Sequence, residues 1–342
     1  MARAQGMIAG SLLACCLASA PVGADEVADF YTGKTVAMVV GHEPGTGFDI
    51  YTRVIYRHMP RHIPGKPNML VQNMQGASGI QSANWLYTIA PRDGTVLATF
   101  SQNVPLEPLF GNVHAKFDPG KFIWVGNAEA SITVCGITTR AGIRTFADLQ
   151  QRDVIFGATG PTGPLVKSAL AVKNLMGARI NVVTGYKGSA SVKAAMLTGE
   201  VHGICGLPWS TIKSFWKSEI DSGEFKAIIQ LSGDRLAELG DIPHANDFMK
   251  SEADKQLFGL LFNTQVLGRA YTLPPGVPQP RVDALRKAFM DTMRDPKFLE
   301  EANKAGLDIS PSPGEDVGKL WASFANTPKD IVERAKKLTE LP

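Results

Sequence analysis

The sequence predicts an α/β fold of two lobes, each a mainly parallel sheet flanked by helices. Three observations carry this. From Thr35 onward, short apolar segments alternate with helical ones, the order expected of doubly wound sheets. Several segments are uninterrupted apolar runs, such as VAMVVG at 36–41 and KAIIQLS at 226–232, which suit strands covered on both faces. The strand–helix units also fall into two separate runs, which argues two sheets.

Taken in order, strands are expected at 35–41, 69–73, 95–100, 122–126, 132–138, 153–157, 179–183, 201–205, 226–231 and 258–263. Helices are expected at 47–59, 78–89, 163–176, 188–198 and 281–294. The last of these follows LPPGVPQP at 273–280, a proline-rich stop and restart, and the remaining chain reads as helical. A length of 342 residues accommodates about two domains.

Composition bounds the function. With 44% hydrophobic and 20% charged residues, the chain is ordinary for a globular protein. A formal charge of +3 calls for no nucleic-acid partner. The first stretch, MARAQGMIAGSLLACCLASAPVGA, has Arg3, an apolar run from Met7 to Ala18, and small residues ending at Ala24. This is the pattern of a secretory signal, too short to span a membrane. Cleavage after Ala24 is expected, leaving 34 Lys+Arg (35 less Arg3) against 32 Asp+Glu, a mature charge of +2. Leu12-Leu13-Ala14-Cys15 also resembles a lipobox, with an atypical Leu13. Export to the periplasm follows, as a soluble mature protein.

Export bears on the cysteines. Cys135 and Cys205 remain after cleavage, both at apolar strand positions. They read as inert buried thiols or, in an oxidising compartment, as a disulfide.

The segment VVGHEPGTGFDIYTRVIYRHMP at 39–60 is a strand, a glycine-rich turn and a helix. It is no dinucleotide fingerprint: Gly41, Gly45 and Gly47 lack the G-x-G-x-x-G spacing, and the next strand ends at Asn73 without an acid. What survives is a helix start whose amides can face an anion. The construction recurs at Gly76-Ala77-Ser78-Gly79, at Thr159-Gly160-Pro161-Thr162-Gly163 and at Tyr186-Lys187-Gly188-Ser189. Any one such turn is most simply a packing feature. Four, two in each half, favour a cleft that binds a small anion from both sides, at the carboxyl ends of the strands.

Catalytic signatures are missing. His58 and His62 are four apart, but Pro60 lies between them and no H-E-x-x-H is formed. They read as surface or interface residues, and no metal or other cofactor is expected. No G-x-S-x-G elbow occurs. His42, beside the first turn, is either a ligand contact or a packed loop residue. Trp209, at the end of the Cys205 strand, is either cleft wall or core, and Cys205 and Trp209 are kept among the candidate contacts.

Together these residues resemble the solute-receptor component of tripartite tricarboxylate transporters, the Bug family. The matching pieces are PGTGFDIYTRVI at 44–55, VQNMQGASGIQSANWLYTIAPRDGT at 71–95, FIWVGN at 122–127, FGATGPTGP at 156–164, GYKGSASVKAAMLTGEVHG at 185–203 and LSGDRLAELGDIPHANDF at 231–248. The resemblance implies a type II periplasmic binding protein-like fold that closes on a small carboxylate and serves membrane transporter subunits. It implies a signal peptide at 1–24, a first lobe of 25–130 plus 235–342, and a second lobe of 131–234. In the first lobe, Gly45, Thr46, Gly47, Phe48 and Asp49, with Gly76, Ala77, Ser78 and Gly79, would hold one carboxylate. In the second, Thr159, Gly160, Thr162 and Gly163, with Tyr186, Lys187, Gly188 and Ser189, would read the rest. Two departures fall in that second lobe. Pro164 stands where the family has a hydroxyl donor, and VHGICG lacks the acid of the family's Val-Asp strand. The competing reading is an exported two-lobed enzyme, a transferase or lyase, acting on an acidic substrate.

Overall fold

The computed structural model describes residues 24–160, 163–232 and 235–341. The leader-like stretch through Gly23 and the candidate contact Thr162 lie outside them. Two sheets organise the described chain. The first contains β1 (Thr35–Val40), β2 (Asn68–Asn73), β3 (Val96–Thr99), β4 (Ile123–Asn127), β10 (Ala270–Leu273) and β11 (Ser312–Pro313), in the order β11-β4-β10-β3-β1-β2. The second contains β5 (Thr133–Thr138), β6 (Val154–Gly157), β7 (Ile180–Val183), β8 (Gly203–Pro208) and β9 (Phe225–Gln230), in the order β7-β6-β8-β5-β9.

The expected parallel core is present in each sheet as three strands, β2-β1-β3 and β7-β6-β8. The sheets are nevertheless mixed. β10 runs antiparallel between β3 and β4, and β5 runs antiparallel between β8 and β9. Both of these strands enter from the other sheet. Neither continues a strand–helix–strand crossover within its own sheet, so nothing obliges them to be parallel.

β1 shows why its apolar run is continuous. Val36 and Met38 pack with Tyr51, Ile55 and Phe289 on one face, while Val39 packs with Ile80, Ala83 and Leu86 on the other. Each such fully buried side chain stabilises the fold by about 1.5–3 kcal/mol.

One expected strand is a helix. Residues 258–263 fall mostly in the helix Glu252–Phe262, whose first turn is capped by Ser251 Oγ accepting from the Asp254 amide at 3.1 Å. Leu257 and Leu260 enter a core cluster of the first sheet, while Phe258 and Phe262 enter one of the second. A helix wedged between two cores is apolar on opposite faces, so its sequence mimics a buried strand. The missing strand lies further on, as β10.

Cys135 on β5 and Cys205 on β8 are paired neighbours, and their sulfurs are bonded.

Candidate functional site

All four glycine-rich junctions fall between a parallel strand and a helix. They join β1 to helix Gly47–His58, β2 to Ile80–Thr88, β6 to Pro164–Met176, and β7 to Ser189–Thr198. In the first sheet β1 lies between β2 and β3. The loops leaving these three strands therefore cluster at a point where the chain changes winding direction, the usual ligand position of such sheets.

The first loop is held by a buried carboxylate. Asp49 is 2% exposed. Its Oδ2 accepts from the Gly45 amide and from Arg53 Nε, both at 2.8 Å, and its Oδ1 accepts from Asn73 Nδ2 at 2.9 Å. Burial pushes this carboxyl up, but the Arg53, Gly45 and Asn73 hydrogen bonds outweigh it and hold the group below the usual range. Asp49 thus fixes the loop and is not turned to a ligand. Neither Thr46, before helix Gly47–His58, nor Gly79, before helix Ile80–Thr88, provides a side-chain cap.

Arg269 lies behind Gly47. A Cβ at that position would stand 2.7 Å from Arg269 Nη2, so a side chain there would push the guanidinium aside. The guanidinium covers the rings of Phe48 and Tyr51, at 4.5 and 4.9 Å. His42 stacks on the Phe48 ring at 4.3 Å, with its Nε2 3.1 Å from Ser101 Oγ. Burial, and then the Arg269 charge, push the His42 imidazole down to about 4, so it is neutral at pH 7.

The second loop touches the first. A Cβ on Gly41 would meet Gly79 Cα at 2.9 Å. Gly79 has φ +104° and abuts Phe100, so a side chain there is both strained and blocked. Ala77 has φ +46°, a left-handed conformation that non-glycine residues adopt mostly under local constraint. Gly76 precedes it, and Ser78 lies within the short turn Ala77–Gly79.

The segment after β3 forms most of a cavity wall to which the Gly45–Asp49 loop contributes no residue. Ser101, Asn103, Glu107, Asn112 and His114 join Ala77 and Ile80 in lining a cavity of about 350 Å³, and Pro164 and Lys167 close it from the other lobe. Lys167 Nζ donates to Glu107 Oε1 at 3.1 Å, and Asn112 Nδ2 donates to Glu107 Oε2 at 2.7 Å.

The second-lobe turns are placed differently. Gly185 N donates to Thr159 O at 2.8 Å, so the two turns are knit to each other. The Gly163 amide closes back on Gly160 O. The Tyr186 hydroxyl donates to Glu200 Oε1 at 2.6 Å, and that contact pushes the phenol up to about 12. Lys187 is exposed. The Gly188 amide is taken by Ser191 Oγ, and Ser189 begins the helix. None of Thr159, Gly160, Gly163 or Tyr186–Ser189 lines the cavity, whereas Pro164 and Lys167 do.

Two candidate contacts lie away from the cavity. Cys205 is 1% exposed in the second-lobe core and bonded to Cys135, so its sulfur is closed to a ligand. Trp209 lines a separate hollow of about 770 Å³ with Arg144, Phe146 and Leu239. Conversely, sequence reasoning misses Ser101, Asn103, Glu107, Asn112, His114, Lys167 and Arg269. SQNVPLEPLFGNVH at 101–114 holds a signal, a polar cluster at the carboxyl end of a strand. Nothing local marks Arg269.

A family model described as the tripartite tricarboxylate transporter family receptor matches residues 52–336. No curated protein matches the sequence. Several solved structures resemble the chain along most of its length. A TctC solute-binding protein from Polaromonas, solved without ligand, has TM-score 0.66 at 18% identity, over 89% of this chain and 99% of that one. The periplasmic binding protein BugD has TM-score 0.65 at 20% identity, over 90% and 98%. An R. palustris protein solved with adipate has TM-score 0.64 at 17% identity, over 90% and 97%. At these identities the likeness establishes the two-lobed fold.

Proposed function

Because the chain belongs to the tripartite tricarboxylate transporter receptor family, we propose that it is a periplasmic receptor that closes on a small carboxylate and delivers it to the membrane subunits of such a transporter. The observation that carries this is the cavity. It is walled by the loops after β2 and β3 and closed by Pro164 and Lys167 of the second lobe, while the loop after β1 abuts that wall at Gly79 and Ser101. Helix Gly47–His58 begins beside it without a side-chain cap, so its first amides are available to an anion, whereas the amides of Gly79, Ile80 and Gln81 close back on Gly76 and Ala77. The buried Arg269 cation lies behind the start of helix Gly47–His58. The secretory pattern of the N-terminus supports a periplasmic location, as does the likeness to BugD, and the adipate-bound relative supports the ligand class.

The proposed lobes are 25–130 plus 235–342 and 131–234. In support, all strands of one sheet fall within 35–127 and 270–313, and all strands of the other within 133–230. The proposed proximal carboxylate site is Gly45–Phe48 with Gly76–Gly79. The Thr159–Gly163 and Tyr186–Ser189 turns are not needed for it and keep at most a role reached by further closure.

Ala77→Asp tests this. Aspartate tolerates the left-handed backbone of Ala77 better than most residues, and it adds a carboxylate to the cavity wall. Calorimetric titration with adipate, succinate and benzoate should show affinity reduced on the order of tenfold or more, by like-charge repulsion. Unchanged affinity would place the ligand elsewhere.

A further inference from the structure

We propose that Lys167 is the residue that selects for a second, distal anionic group on the ligand, and that Glu107 competes with that group for the same ammonium. The proposal rests on the carboxylate-receptor reading and adds to it which side chain tells a dicarboxylate from a monocarboxylate.

Lys167 lies one turn into helix Pro164–Met176 and faces the cavity, with its side chain 21% exposed. Among the described residues its ammonium has one hydrogen-bond partner, Glu107 Oε1 at 3.1 Å. An ammonium has three donors, so two remain for a ligand. Phe110 covers the ammonium at 5.4 Å and limits its wandering. Glu107 belongs to the opposite lobe and is anchored through Asn112 Nδ2. The ion pair therefore spans the cleft, and a ligand seated against Ala77 and extending along the cavity reaches it. An apolar tail would meet a partly buried ion pair there. A distal carboxylate would gain charge-assisted hydrogen bonds from Lys167 and be repelled by Glu107. Pro164 supplies no donor at this end of the cleft, so the cation carries the discrimination.

The test uses matched pairs of straight-chain acids: succinate with butyrate, glutarate with pentanoate, and adipate with hexanoate. Affinities are measured by calorimetry for wild type, Lys167→Met and Glu107→Gln. Wild type should prefer one diacid over its monoacid. Lys167→Met should lower affinity for that diacid by about 10- to 100-fold, the scale of a hydrogen bond to a charged group, and change the monoacid by less than about threefold. Glu107→Gln should raise diacid affinity by about 3- to 10-fold, because the competing carboxylate is gone. A purely structural ion pair would respond with the same sign to loss of either partner. Same-sign losses in the two variants, or an unchanged diacid-to-monoacid ratio in Lys167→Met, overturn the proposal and leave the receptor reading standing. Wild type that binds no acid of either kind overturns both.

Discussion

Arg269→Met is expected to lower the free energy of unfolding by about 3–5 kcal/mol, the cost of stranding a buried charge. Arg269 is 5% exposed and Glu129 is 1% exposed. Their Nε and Oε2 atoms stand 3.5 Å apart. With the arginine gone, the carboxylate keeps the Ser210 hydroxyl, which donates to its Oε1 at 2.6 Å, but loses its counter-charge. Methionine fills much of the space against Phe48 and Tyr51, so lost packing is the smaller part. The double variant Arg269→Met/Glu129→Gln removes both charges, keeps an acceptor for Ser210, and should recover most of the loss. Equilibrium urea unfolding measures all three proteins. A single-variant loss below about 1 kcal/mol would mean that the pair is hydrated and does not brace the loop.

The second large effect concerns the disulfide. Cys135 and Cys205 are 70 residues apart in sequence, and closing a loop of that length in the unfolded chain is worth about 4 kcal/mol on an entropic account. Both sulfurs lie inside the second-lobe core. Cys135→Ala/Cys205→Ala should therefore destabilise the protein by about that amount, with an additional loss from the vacated space. Thermal unfolding followed by circular dichroism should show a lower midpoint, and reductant should then have no further effect on the variant. A midpoint within about 2 °C of wild type would show that the pair is dispensable.

Much of this arrangement is legible in the sequence. Strand periodicity and glycine placement locate the parallel cores and all four loop–helix junctions, because local backbone chemistry decides those features. The wedged helix Glu252–Phe262 reads as a strand, since two cores claim its opposite faces and erase its amphipathic stripe. The candidate site is legible as loops and less so as side chains. Asp49 reads as a ligand contact, yet its carboxylate is consumed by Gly45, Arg53 and Asn73. Cys205, kept among the candidate contacts, is locked in the core as its apolar strand position suggests. Lys167 and Glu107 meet only because the two lobes face each other, and Arg269 reaches Gly47 from the far-off turn before β10. Such tertiary juxtapositions have no local signature.

Binding of a carboxylate on the first-lobe loops can be followed by amide chemical-shift mapping of the isotope-labelled protein during titration with adipate or the tightest-binding acid of the matched series. The largest saturable shifts should fall on Gly45–Phe48 and Gly76–Ile80, with a second group at Lys167 and Glu107. Shifts centred on the separate hollow around Trp209 and Leu239, with the two loops unmoved at saturation, would contradict that placement.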